Sequence, residues 1–287
     1  MQRIMMATDF SERSDRALRR AVLLAQAHGA ILDVVHVVDD DRSPRIVEHE
    51  TADARYLLHE LSQTLRSVDG IRSETAVLLA DPFEGIVKAT LERLPDLLVI
   101  GPHRRHILKD AFVGTTAERT IRSVECPVLM VNGPPVGPYR HIMLTTDFSD
   151  NARQAMRRFL ALSLEARSRH SILHVFDVLA LRMGLSGSLP EEDRNFYITK
   201  QDAEARREMA KFTGGIGKQP MNVAVRYLET TEAAEIHKAA DELGADLIVL
   251  STQGKGTLAR IVLGSVTQQV LQTASVDVLA IPPGQSV

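Results

Sequence analysis

One pattern in this sequence is written twice, and the duplication limits what the chain can fold into. Residues Ile4 to Ser11 (Ile-Met-Met-Ala-Thr-Asp-Phe-Ser) return 138 positions later as Ile142 to Ser149 (Ile-Met-Leu-Thr-Thr-Asp-Phe-Ser). The segments that follow pair Ala17 with Ala155, Arg19 and Arg20 with Arg157 and Arg158, and His36 and Val37 with His174 and Val175 at the same offset. From Ala80 to Ile86 onward the offset becomes 150, matching Thr230 to Ile236. The second copy therefore carries about 12 more residues, most simply placed in the Gly-, Ser- and Leu-containing stretch Leu179 to Pro190. A chain of 287 residues divides well into two units of ordinary domain size. We expect a first domain at 1–133, a linker at 134–138 and a second domain at 139–287. The prolines and glycines of Gly133 to Pro138 interrupt both helix and ladder.

Each unit alternates short apolar runs with helical periodicity. In the first, Arg3–Thr8 reads as a strand and Ser11 as a helix N-cap. Ala17, Ala21, Leu24 and Ala25 then recur at helical spacing until Gly29. Strands are predicted at Ile31–Val37, Glu74–Leu79, Leu97–Ile100 and Val128–Val131. Helices are predicted through Tyr56 to Leu65, Phe83–Leu94 and Thr115–Val124. Continuous apolar strands separated by helices indicate an α/β fold, a parallel sheet covered on both faces. A ligand then belongs at the carboxyl ends of the strands, where strand order reverses.

That end of the sheet carries the second repeated signal. The run Asp246 to Leu250 empties into Ser251-Thr-Gln-Gly254, and nine residues later comes Gly264-Ser265 at the start of a helical segment. Its counterpart is Asp96 to Ile100, then Gly101-Pro-His-Arg104, nine residues, and Gly114-Thr115. Glycines let main-chain N–H groups approach an anion, and the first turn of a helix adds unpaired donors and a favourable dipole.

With these motifs the chain resembles the universal stress protein family, as a tandem member, over nearly all of both halves. The resemblance rests on the strand ending in Thr-Asp-Phe-Ser, the strand ending in His-Val, and the strand–loop–Gly-[Ser/Thr] unit. It implies two tandem five-stranded parallel sheets of the Rossmann-like, adenine nucleotide alpha hydrolase-like kind, with helices on both faces. Many members bind ATP, while others have degenerate loops and do not. In the second half it implies a phosphate loop of Ser251, Gly254, Gly264, Ser265, Val266 and Thr267. Ser251 stands where the first glycine is usual, and Ser265 and Thr267 are expected to add hydroxyl donors. Asp147 corresponds to the family residue that approaches adenine or ribose, and Thr145, Thr146, Phe148, Val175 and Leu250 are expected to wall the nucleoside pocket. The ligand is ATP, ADP or AMP, with any Mg²⁺ riding on the phosphates. The first half keeps Thr8, Asp9, Gly101, Gly114, Thr115 and Thr116, but Arg104 replaces the second glycine. We expect that site to be degenerate, or to hold another anion.

Family members commonly dimerise through their last strands. Here Cys126 to Val131 and Val276 to Ile281 are expected to meet inside one chain as an intrachain pseudo-dimer, which covers two sheet edges. The resemblance leaves room for a homodimer of whole chains as well.

Other residues carry less. His103 and His106 sit three apart with only Asp110 close by, and Asp39 to Asp41 faces a single Asp177 in the other copy, so no metal site is expected. His36 and His174 read as hydrogen-bonded interior imidazoles, and Cys126 as a small buried residue. A net charge of −3 gives no case for nucleic acid or an anionic membrane. Aromatics at 4 %, with no Trp, leave little for base stacking. No apolar run spans a bilayer, no signal-peptide pattern opens the chain, and one cysteine suits a reducing cytoplasm.

No Walker-type Gly-Lys-[Ser/Thr] occurs, since Lys255 is eight residues from Gly264, and no general base stands out. The preferred reading is a cytoplasmic stress-response sensor that binds nucleotide in its second domain and hydrolyses it slowly at most. The alternatives are a tandem interaction scaffold binding no nucleotide and an adenylating or pyrophosphatase-like enzyme. The last usually needs a Ser-Gly-Gly-x-Asp-Ser-like loop where this chain has Thr-Asp-Phe-Ser.

Overall fold

The computed structural model describes residues 1–102, 116–164, 168–182, 190–216, 221–254 and 263–284. The first copy runs β1 (Arg3–Thr8), α1 (Glu12–His28), β2 (Ile31–Val38), α2 (Pro44–Ser67), β3 (Ser73–Leu79), α3 (Pro82–Arg93), β4 (Leu97–Ile100), α4 (Thr116–Ser123) and β5 (Val128–Met130). The second runs β6 (His141–Thr145), α5 (Asp150–Leu162), β7 (Arg169–Phe176), α6 (Leu179–Arg182), α7 (Glu191–Gly214), β8 (Asn222–Tyr227), α8 (Glu232–Leu243), β9 (Leu247–Ser251), α9 (Ser265–Thr273) and β10 (Asp277–Ile281). The extra length of the second copy falls mainly between β7 and α7. The short α6 occupies its beginning; residues 183–189 lie outside the described residues.

The ten strands form one sheet in the order β3-β2-β1-β4-β5-β10-β9-β6-β7-β8. Every pairing is parallel except β5 with β10, which meet antiparallel with Leu129 opposite Leu279. The last strand of each half thus closes the edge of the other. In each half the order reverses beside the first strand, between β1 and β4 and between β6 and β9, which is where such folds open a crevice.

Alternation along the strands builds two cores. Ile4, Met6, Val34 and Val99 face α1, α2, α5 and α7. Met5, Val35, Leu98 and Ile100 face α3, α4, α8 and α9. Both cores run through both halves without a break. The helix α2 starts three turns earlier than its apolar spacing predicts. Only Thr51, Ala54, Leu58 and Leu65 of it are buried, so its N-terminal half gives too thin a stripe to read.

A polar pair recurs at the amino ends of the strands, in two chemistries. In the first half, fully buried Asp33 receives Arg3 at 2.7 Å, with Arg93 at 3.5 Å. At the matching place in the second half, His141 meets the Ser171 hydroxyl at 2.6 Å and the Leu243 carbonyl at 2.8 Å. One half satisfies this buried position with charge and the other with neutral hydrogen bonds.

The halves are fastened by Asp277 of β10. Its carboxylate accepts from the Tyr139 hydroxyl at 2.6 Å, from Arg20 Nε at 3.2 Å, and from the amides of Asn132 and Gly133 at 2.9 and 3.1 Å. Arg20 also donates to the Gly137 carbonyl at 2.7 Å and lies over the Tyr139 ring. Burial pushes the Asp277 carboxyl above its ordinary range, against the pull of Tyr139, Arg20 and the two amides. One side chain therefore joins α1, the connecting segment and β10.

Candidate functional site

The Thr-Asp-Phe-Ser tip is a hydrogen-bonded device whose main bonds are built twice. The Thr8 and Thr146 hydroxyls accept the amides of Phe10 and Phe148, each at 3.0 Å. Asp9 and Asp147 accept the amides of Ser11 and Ser149 at 3.0 and 2.9 Å. Ser11 and Ser149 then cap α1 and α5. The imidazoles of His36 and His174 hold the Thr8 and Thr146 carbonyls through Nδ1 at 2.8 Å. Phe10 and Phe148 sit at φ 57° and 64°, a conformation that costs a bulky residue strain. Their rings pack on the two histidines, with centroids 4.4 and 4.1 Å apart, which holds the turn.

This turn decides where Phe148 goes. The sequence places it in the nucleoside pocket; in the structure its ring turns the other way, onto His174 and Phe212. It shapes the strand tip and does not line the cavity.

At the carboxyl ends of β6 and β9 lies a cavity of about 390 Å³. It gathers Thr145, Thr146, Asp147, Val175, Leu250, Ser251, Gly254, Gly264, Ser265, Val266 and Thr267 of the expected set. Sequence reasoning missed Ala152, Leu173, Glu232, Ile236 and Gln253, which also line it. Ile236 belongs to the segment that repeats Ala80 to Ile86, so the repeat was a usable signal for it. Glu232 lies in the same repeated segment and Gln253 inside the Ser251 to Gly254 motif, so both were open to the same signal.

The loop is braced by its own polar groups. The Ser251 hydroxyl donates to the Gln253 carbonyl at 2.8 Å, a turn that a glycine at this position could not make. The Thr252 amide donates to Ile281 of β10, and the Gly264 amide donates back to the Thr252 carbonyl. The Thr267 hydroxyl donates to the Ser251 carbonyl at 2.8 Å, so its proton is committed inside the protein and is not the phosphate donor expected of it. Gly254 is needed for space and not for a left-handed backbone. A Cβ there would meet Asp147 Oδ2 at 2.9 Å.

Like α2 and α7, α9 begins without a side-chain cap; unlike theirs, its first turn lines this cavity. Ser11, Asp81, Ser149 and Thr231 place a side-chain oxygen on the first-turn amides of α1, α3, α5 and α8. The N-cap of α9 is Gly264, with φ −61° and ψ 143° and no side chain to do so. The first-turn amides of Ser265, Val266 and Thr267 thus meet the cavity end of β9 without a built-in anion, where the helix dipole favours a negative charge. Among the described residues no Lys or Arg lines this cavity, and its carboxylates are Asp147 and Glu232.

The first half carries a matching cavity of about 310 Å³, lined by Thr8, Asp9, Gly101 and Thr116 of the expected residues. Arg104, Gly114 and Thr115 lie outside the described residues, as do His103, His106, Asp110 and Lys255. Gly101 is held by packing, since a Cβ there would come within 3.0 Å of the Arg13 carbonyl in α1. Burial raises the Asp9 carboxyl, but hydrogen bonds from Ser11 and Ser14 and the nearby Arg13 outweigh it and hold it below the ordinary carboxylate range. Cys126 has its thiol pushed up to about 12 by burial, which leaves it a poor nucleophile at neutral pH. Among the described residues no three His, Cys, Asp or Glu side chains come together as a metal site, and no helix is long and apolar enough to cross a membrane.

Comparison with known proteins agrees with this architecture. A family model described as the universal stress protein family matches residues 1–132 and again 138–282. A universal stress protein of Methanocaldococcus jannaschii is 28 % identical over 153 residues, covering 50 % of this chain and 94 % of that protein. One from Mycolicibacterium smegmatis is 21 % identical over 98 % of this chain and 97 % of its own. Among solved structures, a universal stress protein from Archaeoglobus fulgidus superposes with a TM-score of 0.70 at 18 % identity, covering 98 % of both chains.

Proposed function

The chain belongs to the universal stress protein family, with the family unit present twice, and from that premise we propose that its second half binds an adenine nucleotide. The observation that carries this reading is the uncapped start of α9, opening on a cavity whose walls are apolar at one end and main-chain amide at the other. Val175, Leu250 and Ile236 suit a flat base, Asp147 suits ribose hydroxyls, and the amides of 265–267 suit phosphate. The adenine base itself rests on the family resemblance. Phosphate charge is met here by backbone dipoles and by any Mg²⁺ the nucleotide brings, with Ser251 and Thr267 bracing the loop. That arrangement serves retention, and transfer of the phosphoryl group is not part of the proposal. The protein then works as a cytoplasmic sensor whose surface reports occupancy.

We further propose that the domains divide at 134–138 and that the β5–β10 pairing is the intrachain counterpart of a family dimer. Mass spectrometry of small molecules released from freshly purified protein tests the ligand. ATP, ADP or AMP is expected at up to one per chain; a clean apo protein that also fails to take up added ATP would leave the scaffold reading.

Gly254→Ala provides a second check. The added Cβ displaces the end of one flexible side chain, so the thermal midpoint is expected to stay within about 3 °C. The turned Asp147 carboxylate is expected to weaken nucleotide binding about tenfold, or about 1.4 kcal/mol, in isothermal titration. Unchanged affinity would remove Asp147 from the site.

A further inference from the structure

The two helices that begin at the crevices also meet each other. The offset of 150 pairs α4 with α9, so Glu118 and Gln268 stand at equivalent positions, as do Arg122 and Gln272. Across the join of the halves, the Gln272 side-chain amide donates to Glu118 Oε1 at 3.1 Å, and that of Gln268 donates to Oε2 at 3.5 Å. The bridge is asymmetric, with a carboxylate from the first half and two neutral amides from the second. Glu118 is 6 % exposed, and with Thr120 and Ile121 it makes up the buried part of α4.

Both helices are short. The helix α4 has 8 residues and α9 has 9, and so few turns are not stable alone. Each therefore relies on tertiary contacts, and Ile121 of α4 belongs to the same buried cluster as Val270 and Leu271 of α9. Local opening is the motion to expect of elements held this way. The bridge joins the two openings. If α9 opens, Glu118 loses two donors, and a carboxylate this buried regains them from water only when α4 moves too. Each helix also walls a crevice, with Thr116 and Ala117 on the first and Val266 and Thr267 on the second.

We infer that Glu118 couples the two halves, so that a phosphorylated ligand held at the start of α9 steadies α4 and with it one wall of the first-half crevice. A ligand on the first-turn amides suppresses the opening of α9 and keeps Gln268 and Gln272 on the carboxylate. The open population of α4 then falls as well, and the coupling needs no shift of the backbone. This rests on the nucleotide reading and adds to it the route by which occupancy leaves the second half.

Hydrogen–deuterium exchange on the full-length protein, with and without saturating ATP, tests the coupling. ATP is expected to slow exchange at 265–273 and, at least about threefold, at 116–123. The helix α2, in the same half but packed on the other face of the sheet, is expected to keep its ligand-free rate. Gln268→Ala combined with Gln272→Ala removes both donors, and neither residue lines a crevice. That double variant is expected to keep the slowing in α9 and to lose it in α4. No slowing at 265–273 would defeat the nucleotide reading and this inference with it. Slowing there that leaves 116–123 unchanged, spreads equally to α2, or persists in α4 of the double variant would overturn the coupling alone.

Discussion

Protein carrying Gly264→Arg is expected to fold like the wild type and to bind ATP at least about 100-fold more weakly, or about 2.7 kcal/mol. The reason lies in what Gly264 touches. Its φ of −61° is open to any residue, and a Cβ there meets the Thr252 carbonyl at 3.6 Å, the Gly254 amide nitrogen at 3.8 Å and Thr267 Oγ1 at 3.9 Å. All three are ordinary contacts, so the fold does not demand glycine at this place. What a side chain changes is the approach to the first-turn amides of α9, and an arginine also brings a cation that competes for the phosphate position from within. Equilibrium dialysis with labelled ATP, beside a thermal unfolding curve, reads both halves of the expectation. Gly264→Ala, the milder variant, is expected to bind at an intermediate level. Wild-type affinity in the arginine variant would mean that nothing binds against these amides.

The largest loss of stability is expected from Asp277→Ala. Removing that carboxylate strands the Arg20 guanidinium, whose side chain is 8 % exposed, and takes an acceptor from the Tyr139 hydroxyl and from the amides of Asn132 and Gly133. Breaking one partner of a buried ion pair costs about 3–5 kcal/mol, because the surviving charge is buried alone. For units of this size that corresponds to a fall in thermal midpoint of roughly 10 °C. Adding Arg20→Met to Asp277→Ala removes the stranded charge. The double variant is expected to recover part of the loss, a coupling that a double-mutant cycle in urea measures. A single-variant loss under about 1 kcal/mol would show that the clasp fastens nothing. Because Thr252 of the loop hangs from Ile281 on the same strand, loosening β10 is also expected to loosen the nucleotide crevice.

Much of this architecture was legible because the repeat doubled every weak signal. Strands β1 and β4 fall at their predicted limits, and Ser11 caps α1 as its position implied. The register between the copies, including the change of offset between β2 and β3 and between β7 and β8, carried the strand order of one half onto the other. Side-chain direction was harder. Phe148 was read as a pocket wall because it adjoins Asp147, but a positive φ sends it to the opposite face, and residue type alone does not announce that conformation for an aromatic. Thr267 was read as a phosphate donor because it opens a helix. Its hydroxyl is taken by a carbonyl 16 positions earlier, a contact created by tertiary packing. Glu232 and Gln253 lie inside segments that the repeat marks, but their residue types alone did not announce that they line the cavity. The pairing of β5 with β10 was anticipated from the family resemblance, with covered edges as its consequence, whereas the merging of two sheets into one of ten strands is a result of that pairing that only coordinates display.

The central claim is that an adenine nucleotide lies in the second-half crevice with its phosphates against the start of α9. Crystals soaked in millimolar ATP test it most directly. The expected result is nucleotide density at β6 and β9, with phosphate oxygens within hydrogen-bond distance of the amides of 265–267 and the base against Val175 and Leu250. A crevice that stays empty under that soak, or a nucleotide bound anywhere else on the chain, would contradict the account.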